Sequence, residues 1–360
     1  MDKRIYLPGL NGIRAIAALA VIISHIGLGL DGFGLLKQKG YDLANFGVTI
    51  FFTLSGFLIT YLLLAEKKQT KRINIKKFYI RRILRIWPLY FTYIFLVLLF
   101  IDFQFNNGIY YYVLIVPNVL FVLNIVTNNS LFIPYLTHYW SLGVEEQFYA
   151  FWPLLISKIK KLQLFFIVFI VFFFLFKIVV SVFNLSTFLN IFLHYTRFGC
   201  MAMGGGAAFL LFYKHSILQF VNKKVIEMLA WMILGVVAFN KFHLFSIIDH
   251  ELIALVTIVI ILNQVNNDKK IISLENKLFD YLGKISFGLY VYNPLIIGIL
   301  AKYATPYLNF QSSVLKTIIV YLLCISIIII VSHVSYFYFE SKFLKIKNRF
   351  MIIKSSSSKF

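Results

Sequence analysis

The stretch LFFIVFIVFFFLFKIVVSVF, residues 164–183, is apolar throughout except for Lys177 and Ser181. It has the length that an α-helix needs to cross a bilayer, about 20 residues. Comparable apolar segments recur along the whole chain, at residues 10–30, 45–65, 86–105, 109–127, 139–157, 197–213, 225–242, 250–265, 285–301 and 315–337. They leave no room for a separate soluble domain. The sequence therefore predicts a polytopic, all-α membrane domain over residues 1–345, followed by a basic, disordered tail at 346–360.

The composition points to the same class of protein. Of the 360 residues, 60% are hydrophobic and 14% are charged, and the mean hydropathy is +0.83. A soluble domain carries about 25% charged residues. The net charge of +21 comes from 35 Lys and Arg against 14 Asp and Glu. Because these charges lie between apolar segments, the positive-inside rule and contact with anionic membrane lipid explain the excess, and nucleic acid is not an expected partner.

The basic connections decide which segments cross the membrane. The N-terminus is basic, and so is the connection at 66–85, which predicts that both are cytoplasmic. If 109–127 crossed fully, the lysine cluster at 158–161 and the basic tail would lie outside. If 109–138 stays on the outer side as a re-entrant or interfacial element, these basic segments all become cytoplasmic. Two prolines suit such an irregular element, Pro117 and Pro134. The sequence thus predicts about ten transmembrane helices, with both termini cytoplasmic.

Two ionisable residues lie inside the first apolar segment. Such groups are costly to insert, roughly 2.5–3.5 kcal/mol each, and are therefore candidates for function. Arg14 and His25 are eleven residues apart, so both project from one face of a helix, ~16 Å apart along its axis. Taken singly, His25 has an ordinary interpretation as a hydrogen-bonded helix histidine, and Arg14 as a snorkelling anchor. Neither interpretation explains why the two residues share a face.

A pair of carboxylates lies in the stretch WSLGVEEQFY, residues 140–149. If that helix begins at the outer surface near residue 139, Glu145 lies ~9 Å below its outer end, and His25 lies ~7 Å below the outer end of its own helix. The matching depths predict that Glu145 contacts His25. A carboxylate beside a histidine raises its basicity and fixes its tautomer, as a general base for a hydroxyl requires. Glu146 points about 100° away, and periodicity does not decide which carboxylate does the work.

A pair of arginines, Arg82 and Arg85, lies three residues apart where a basic connection meets an apolar segment. On a helix their guanidinium groups face the same way. Such a pair suits a phosphorylated ligand, because arginine binds phosphate oxygens bidentately. Anchoring to anionic lipid headgroups is an equally good interpretation. The run Gly204-Gly205-Gly206, in contrast, favours close helix packing over a phosphate-binding loop.

Taken together, these motifs resemble the membrane-bound acyltransferase 3 family, whose members O-acylate surface glycans and other acceptors. The resemblance covers most of the chain and rests on several motifs in the right order. The strong ones are Leu10-Asn11-Gly12-Ile13-Arg14 through His25, Phe51 to Ile59, Arg82-x-x-Arg85, and Trp140-Ser141-Leu142 with Glu145 and Phe148-Tyr149. Weaker matches follow at Arg197 with the downstream glycines, at Ser286 to Tyr290, and at Tyr338-Phe339-Glu340.

The resemblance implies a ten-helix bundle in the plasma or inner membrane of a bacterium. The acyl donor would be cytoplasmic acyl-coenzyme A, most often acetyl-coenzyme A, and the acceptor a hydroxyl of an extracytoplasmic glycan or polysaccharide. No permanently bound cofactor or metal is implied. The implied site residues fall on positions already singled out: His25 as catalytic base or transient acyl carrier, Glu145 as its partner, Arg14 along the donor tunnel, Arg82 and Arg85 on the coenzyme's phosphates, and Ser55, Gly56 and Phe57 in the pocket wall.

The sequence departs from the family pattern at positions that include 11 and 293. Asn11 stands where an Asp is common, which removes a possible charge partner for Arg14. Asn293 stands where the family often has His, which argues against an essential histidine in that span. A transporter or flippase of a glycan or anionic substrate is the alternative function, since it would also bury Arg, His and Glu. Stabilisation of the protein by coenzyme A distinguishes the two functions.

Overall fold

The computed structural model describes residues 5–38, 43–101, 106–128, 131–239, 243, 247–308, 310–353 and 355–356. Within them the chain is mainly helical. The helices are α1 (Leu10–Leu28), α2 (Leu43–Thr70), α3 (Ile75–Phe100), α4 (Gly108–Val113), α5 (Pro117–Thr127), α6 (Trp140–Lys158), α7 (Leu162–Val182), α8 (Thr187–Thr196), α9 (Phe198–Phe212), α10 (Ile217–Val221), α11 (Lys224–Ala238), α12 (Asp249–Asn266), α13 (Lys277–Lys284), α14 (Ser286–Ala304), α15 (Ser313–Val334) and α16 (Ser341–Asn348).

Seven helical stretches in the described part of the chain are long and apolar enough to cross a membrane. They are Leu10–Leu28, Leu43–Thr70, Ile75–Phe100, Leu162–Val182, Asp249–Asn266, Ser286–Tyr307 and Ser313–Asn348. The prediction of an all-α membrane protein is confirmed. The most apolar of the seven is α7, with a mean hydropathy of 3.0, and only 17% of its apolar window is buried. Ile167, Val168, Val171, Phe172 and Leu175 face outward, as expected for a helix at the lipid-facing edge of the bundle.

The segment 109–127 is not one continuous helix. It forms α4 and α5, which are separated at residues 114–116, where Ile115 has a φ of 60°. Pro117 is the first residue of α5, the position where a proline's missing N–H is tolerated. The side-chain amides of Asn118 and Gln147 then join α5 to α6 by two hydrogen bonds of 3.1 and 2.8 Å. The prediction that this segment is irregular is confirmed.

The centre of the bundle is α2, which packs against α1, α6, α9 and α12. Its closest neighbour is α9, because glycines lie where the two helices cross. A methyl group added to Gly56 would overlap the carbonyl oxygen of Met201, and one added to Gly204 would overlap that of Thr53. The interpretation of the glycine run as a helix-packing motif is confirmed for Gly204.

The two ends of the chain lie side by side. Ile5–Tyr6 pairs in parallel with Ser355–Ser356 as strands β1 and β2. The helix α16 continues across the predicted domain boundary at residue 345 and packs against α3. The rest of the predicted tail from residue 357, and the basic residues Lys3 and Arg4, lie outside the described residues.

The glycine crossing gives a stability prediction. Gly56→Ala should destabilise the protein by about 1–3 kcal/mol, the usual range for overpacking a tight interior contact. Gly235→Ala is the matched control, because a methyl group added there meets nothing within 4 Å and alanine favours the helix. Thermal unfolding in detergent measures both. Equal melting temperatures for the two variants would contradict the close approach of α2 and α9.

Candidate active site

Two cavities meet at the centre of the bundle. The first, which we name the arginine cavity, has a volume of about 100 Å³ and is lined by side chains that include Arg14, Arg82, Arg85 and Glu145. The second, the histidine cavity, has a volume of about 940 Å³ and is lined by side chains that include His25, Asn45, His138, Trp140 and Tyr195. Val48 and Tyr290 line both cavities and form the boundary between them.

The sequence of α3 places two of the three arginines. The helix begins at Ile75, where the Asn74 side chain accepts a hydrogen bond of 2.9 Å from the Lys77 N–H and caps the first turn. From there α3 continues without a break, so Arg82 and Arg85 lie one turn apart and line the same cavity. Their predicted common orientation is confirmed.

Arg14 reaches the same cavity from α1. Its Nη1 donates a hydrogen bond of 2.8 Å to Asn11 Oδ1, and Asn11 Nδ2 donates one of 3.1 Å to Asp280 Oδ1. Asn11 therefore connects Arg14 to a carboxylate on α13. The sequence analysis identified the loss of a possible charge partner for Arg14 at position 11. In the structure, Asp280 provides the carboxylate indirectly, through the side chain of Asn11.

Glu145 is the carboxylate of the arginine cavity. It accepts hydrogen bonds from the hydroxyls of Ser55 and Tyr149, and the Arg82 guanidinium lies over the Tyr149 ring, 5.1 Å from its centroid. Glu146 points elsewhere: its Oε2 accepts a hydrogen bond of 2.9 Å from Trp87 Nε1. The structure therefore distinguishes the two carboxylates that periodicity left equivalent.

His25 bonds to an amide and not to a carboxylate. Its Nδ1 lies 2.6 Å from Asn293 Oδ1. Asn293 Nδ2 donates to the carbonyl oxygens of Leu289 and Tyr290, at 3.0 and 2.7 Å. Since both amide hydrogens are used there, the oxygen must face His25, and Nδ1 must carry the imidazole hydrogen. The other nitrogen, Nε2, then keeps its lone pair, as a base or nucleophile requires.

The predicted contact between His25 and Glu145 is wrong. The two residues line different cavities, and each has other hydrogen-bond partners. The prediction used the rise along each helix, which fixes the height of a side chain in the bilayer but not the direction in which it points. Arg14 and His25 share a face of α1, yet that face borders one cavity near Arg14 and the other near His25.

The predicted pocket wall is also corrected in part. Ser55 lines the arginine cavity and bonds to Glu145. Gly56 and Phe57 do not line it among the described residues: Gly56 faces Met201 of α9, and Phe57 is fully buried and stacks on Tyr61, with ring centroids 6.1 Å apart. Successive helix positions point about 100° apart, so three consecutive residues cannot share one wall.

Tyr290 closes the boundary between the cavities. Its hydroxyl donates a hydrogen bond of 2.8 Å to the carbonyl oxygen of His138 and lies 2.5 Å from Ser141 Oγ. The His138 ring also lines the histidine cavity, and its centroid lies 6.3 Å from that of the His25 ring. Burial lowers the pKa of His138 well below its usual range, so this imidazole is neutral.

Sequence reasoning treated Asn293 only as a departure from a family pattern and did not single out His138, and it quoted Tyr290 only within a weak motif. A buried asparagine before a proline inside an apolar helix, Asn293-Pro294, is the one local signal that pointed to α14. The contacts of Tyr290 and His138 join residues about 150 positions apart and have no local signature.

A family model described as an acyltransferase domain matches residues 7–336. A Staphylococcus aureus (strain COL) protein named "Putative O-acetyltransferase" is 30% identical over 370 residues, which cover 95% of this chain and 58% of the relative. The O-acetyltransferase OatA of the same strain is 35% identical over 160 residues, 42% of this chain and 25% of the relative. The chain thus spans little more than half the length of these relatives. No solved structure matches it. The match across nearly the whole chain shows that it belongs to the acyltransferase 3 family.

Proposed function

We propose that this membrane protein transfers an acyl group, acetyl in the first instance, from cytoplasmic acyl-coenzyme A to a hydroxyl of a glycan on the outer side of a bacterial plasma membrane. The single observation that carries the proposal is the pair of adjoining cavities, one with three arginines and the other with a histidine whose Nε2 keeps its lone pair. The names of the relatives favour acetyl as the acyl group.

The arginine cavity is the proposed donor site. Arg14, Arg82 and Arg85 present three guanidinium groups at one place, and Glu145 is the carboxylate among them. Phosphate oxygens are the ligands that such an arginine cluster binds best. The cavity holds about 100 Å³, below the roughly 300–1,000 Å³ of small-molecule sites. Donor binding must therefore displace side chains that line the cavity. The coenzyme's nucleotide is too large for this volume and stays in water.

The histidine cavity is the proposed acceptor site. The acceptor hydroxyl gives its proton to His25 Nε2 while its oxygen attacks the thioester carbonyl carbon. The carbon–sulfur bond then breaks, and the leaving thiolate takes the proton from the imidazolium. Asn293 contributes by holding Nδ1–H throughout, so that Nε2 is always the nitrogen that exchanges the proton.

The thioester has to reach the boundary between the cavities. Tyr290 and Val48 lie there, so the Tyr290 side chain must move, or the acyl group must pass beside it, before transfer. When the donor is bound and no acceptor is present, a closed boundary keeps water from the thioester.

The proposed topology has ten spans, with both termini cytoplasmic. The spans are α1, α2, α3, α6, α7, α9, α11, α12, α14 and α15. Three of them, α6, α9 and α11, fall short of the length or hydropathy of the seven long apolar stretches, and α4 with α5 would stay on the outer side. This arrangement agrees with the positive-inside rule.

Binding of coenzyme A tests the donor site directly. Ligand binding to the folded state stabilises it by about 2.7 kcal/mol at a hundredfold excess over Kd, so free coenzyme A should raise the melting temperature of the detergent-purified protein. Arg82→Gln and Arg85→Gln should abolish most of this shift. Lys76→Gln removes an exposed cation from the same helix and should retain it. A shift that all three variants retain would remove the arginine cavity as the donor site.

The His25–Asn293 pair gives a second prediction. His25→Ala should abolish acetyl esters on surface glycans, and Asn293→Ala should lower them by roughly tenfold or more, because the imidazole loses its fixed tautomer. The measurement is acetate released by mild base from glycans of expressing cells, with the coenzyme A shift as a check on folding.

Asn263→Ala is the matched control for the second prediction. Asn263 is also buried and also bonds to backbone carbonyl oxygens, those of Val221 and Val259, but it lies on α12, away from both cavities. Ester levels in Asn293→Ala cells equal to those in Asn263→Ala cells would contradict a role for the amide in fixing His25.

A further inference from the structure

Arg197 is buried, with 3% of its surface exposed, and lies between α8 and α9 without a loop on either side. Its φ of 46° is in the left-handed region, which is uncommon for a residue with a long side chain. A residue held there persists only where surrounding contacts fix it. Those contacts are made by its guanidinium group.

The guanidinium group holds the start of α2. Nη1 donates hydrogen bonds to the carbonyl oxygen of Asn45, at 2.8 Å, and to Thr49 Oγ1, at 3.1 Å, while Nη2 lies 3.4 Å from Asn45 Oδ1. Nε donates to the carbonyl oxygen of His194 at 2.9 Å. One side chain therefore ties α2 to α8 through a planar fork of donors, which lysine cannot reproduce.

The same group lies against two aromatic rings. The Arg197 Cζ atom is 5.4 Å from the centroid of the Trp140 ring and 5.8 Å from that of the Tyr195 ring. Both distances are within the range of cation–π attraction. Trp140 is the first residue of α6 and Tyr195 lies in α8, so Arg197 contacts three of the elements that surround the histidine cavity.

Three aromatic side chains form one cluster in the wall of that cavity. The ring centroid of Phe121 is 5.7 Å from that of Trp140 and 4.8 Å from that of Tyr195, and the centroids of Trp140 and Tyr195 are 5.0 Å apart. All three residues line the histidine cavity together with Asn45. Aromatic faces pack against the C–H face of a sugar ring, and an amide beside them hydrogen-bonds sugar hydroxyls. A cavity with that combination fits a sugar residue better than a purely apolar ligand.

We propose that Phe121, Trp140 and Tyr195 form the platform on which a sugar ring of the acceptor glycan lies, and that Arg197 is the positioning residue that holds this platform and Asn45 in place. The inference rests on the proposed function and adds the subsite for its acceptor. Arg197 acts behind the wall and does not touch the acyl donor.

The test uses the full chain in envelope membranes that carry the native acceptor, with radiolabelled acetyl-coenzyme A as the probe. Arg197→Gln and Arg197→Lys should each lower the limiting rate of label transfer to glycan by at least about tenfold, while the KM for acetyl-coenzyme A stays within about twofold. The coenzyme A melting shift should also persist. An unchanged KM for acetyl-coenzyme A would show that the donor site is intact and that the lower rate comes from a displaced platform. General loss of structure would change both values.

Two further variants keep the test decisive. Tyr195→Leu alters the platform without removing a charge and should lower the limiting rate in the same way, which decides the matter if the Arg197 variants do not fold. The double variant Lys177→Met with Glu251→Gln is the control. This 3.1 Å ion pair lines a neighbouring cavity beside Arg197 and does not line the histidine cavity.

Each outcome has one meaning. Limiting rates within about twofold of wild type for Arg197→Gln and Tyr195→Leu would overturn the inference, and so would an equal loss in the Lys177/Glu251 control. Absence of label transfer by the wild-type protein, with no coenzyme A shift, would instead overturn the proposed function on which the inference rests.

Discussion

A neutral imidazole can place its hydrogen on either nitrogen, and only a fixed neighbour decides which one can act as a base. Here the neighbour is Asn293, whose amide hydrogens bond to the carbonyl oxygens of Leu289 and Tyr290 and leave only its oxygen for His25. The bond joins α1 to α14 and leaves Nε2 as the nitrogen that keeps its lone pair. Because Asn293 is neutral, it adds no buried charge, whereas a carboxylate at this depth would need a cationic partner.

The second constraint is the separation of the three arginines from that imidazole. The three arginines collect on one side of Tyr290 with Glu145 among them, while the histidine cavity is lined by aromatic and amide side chains together with Asp31, Lys37 and Lys302. The proposed phosphorylated donor is attracted more strongly to the three arginines than to the second cavity, where Lys37 is paired with Asp31 at 3.7 Å. Under the proposed function, this division is a physical reason for an acyl group, and not the whole coenzyme, to pass Tyr290. In the same proposal, the aromatic platform held by Arg197 is the acceptor side of this division.

Much of the fold could be predicted from local sequence. Apolar length predicted the long helices, Pro117 indicated the break between α4 and α5, and the three-residue spacing predicted that Arg82 and Arg85 face one cavity. The site was harder, because helical rise gives depth but not direction. Helical rise therefore predicted a contact between Glu145 and His25 that the structure does not contain, and the family pattern gave no indication that Asn293 bonds to His25. The hydrogen bonds from Arg197 to α2 join residues about 150 positions apart and cannot be obtained from periodicity.

The central claim is that an acyl group crosses the boundary at Tyr290 from a donor on one side of the membrane to an acceptor on the other. Sealed right-side-out vesicles with radiolabelled acetyl-coenzyme A enclosed test it most directly. The account predicts label on glycan at the outer surface when the donor is inside, and none when the same donor is supplied only outside. Labelling that requires the donor outside, or that proceeds equally from both sides, would contradict it.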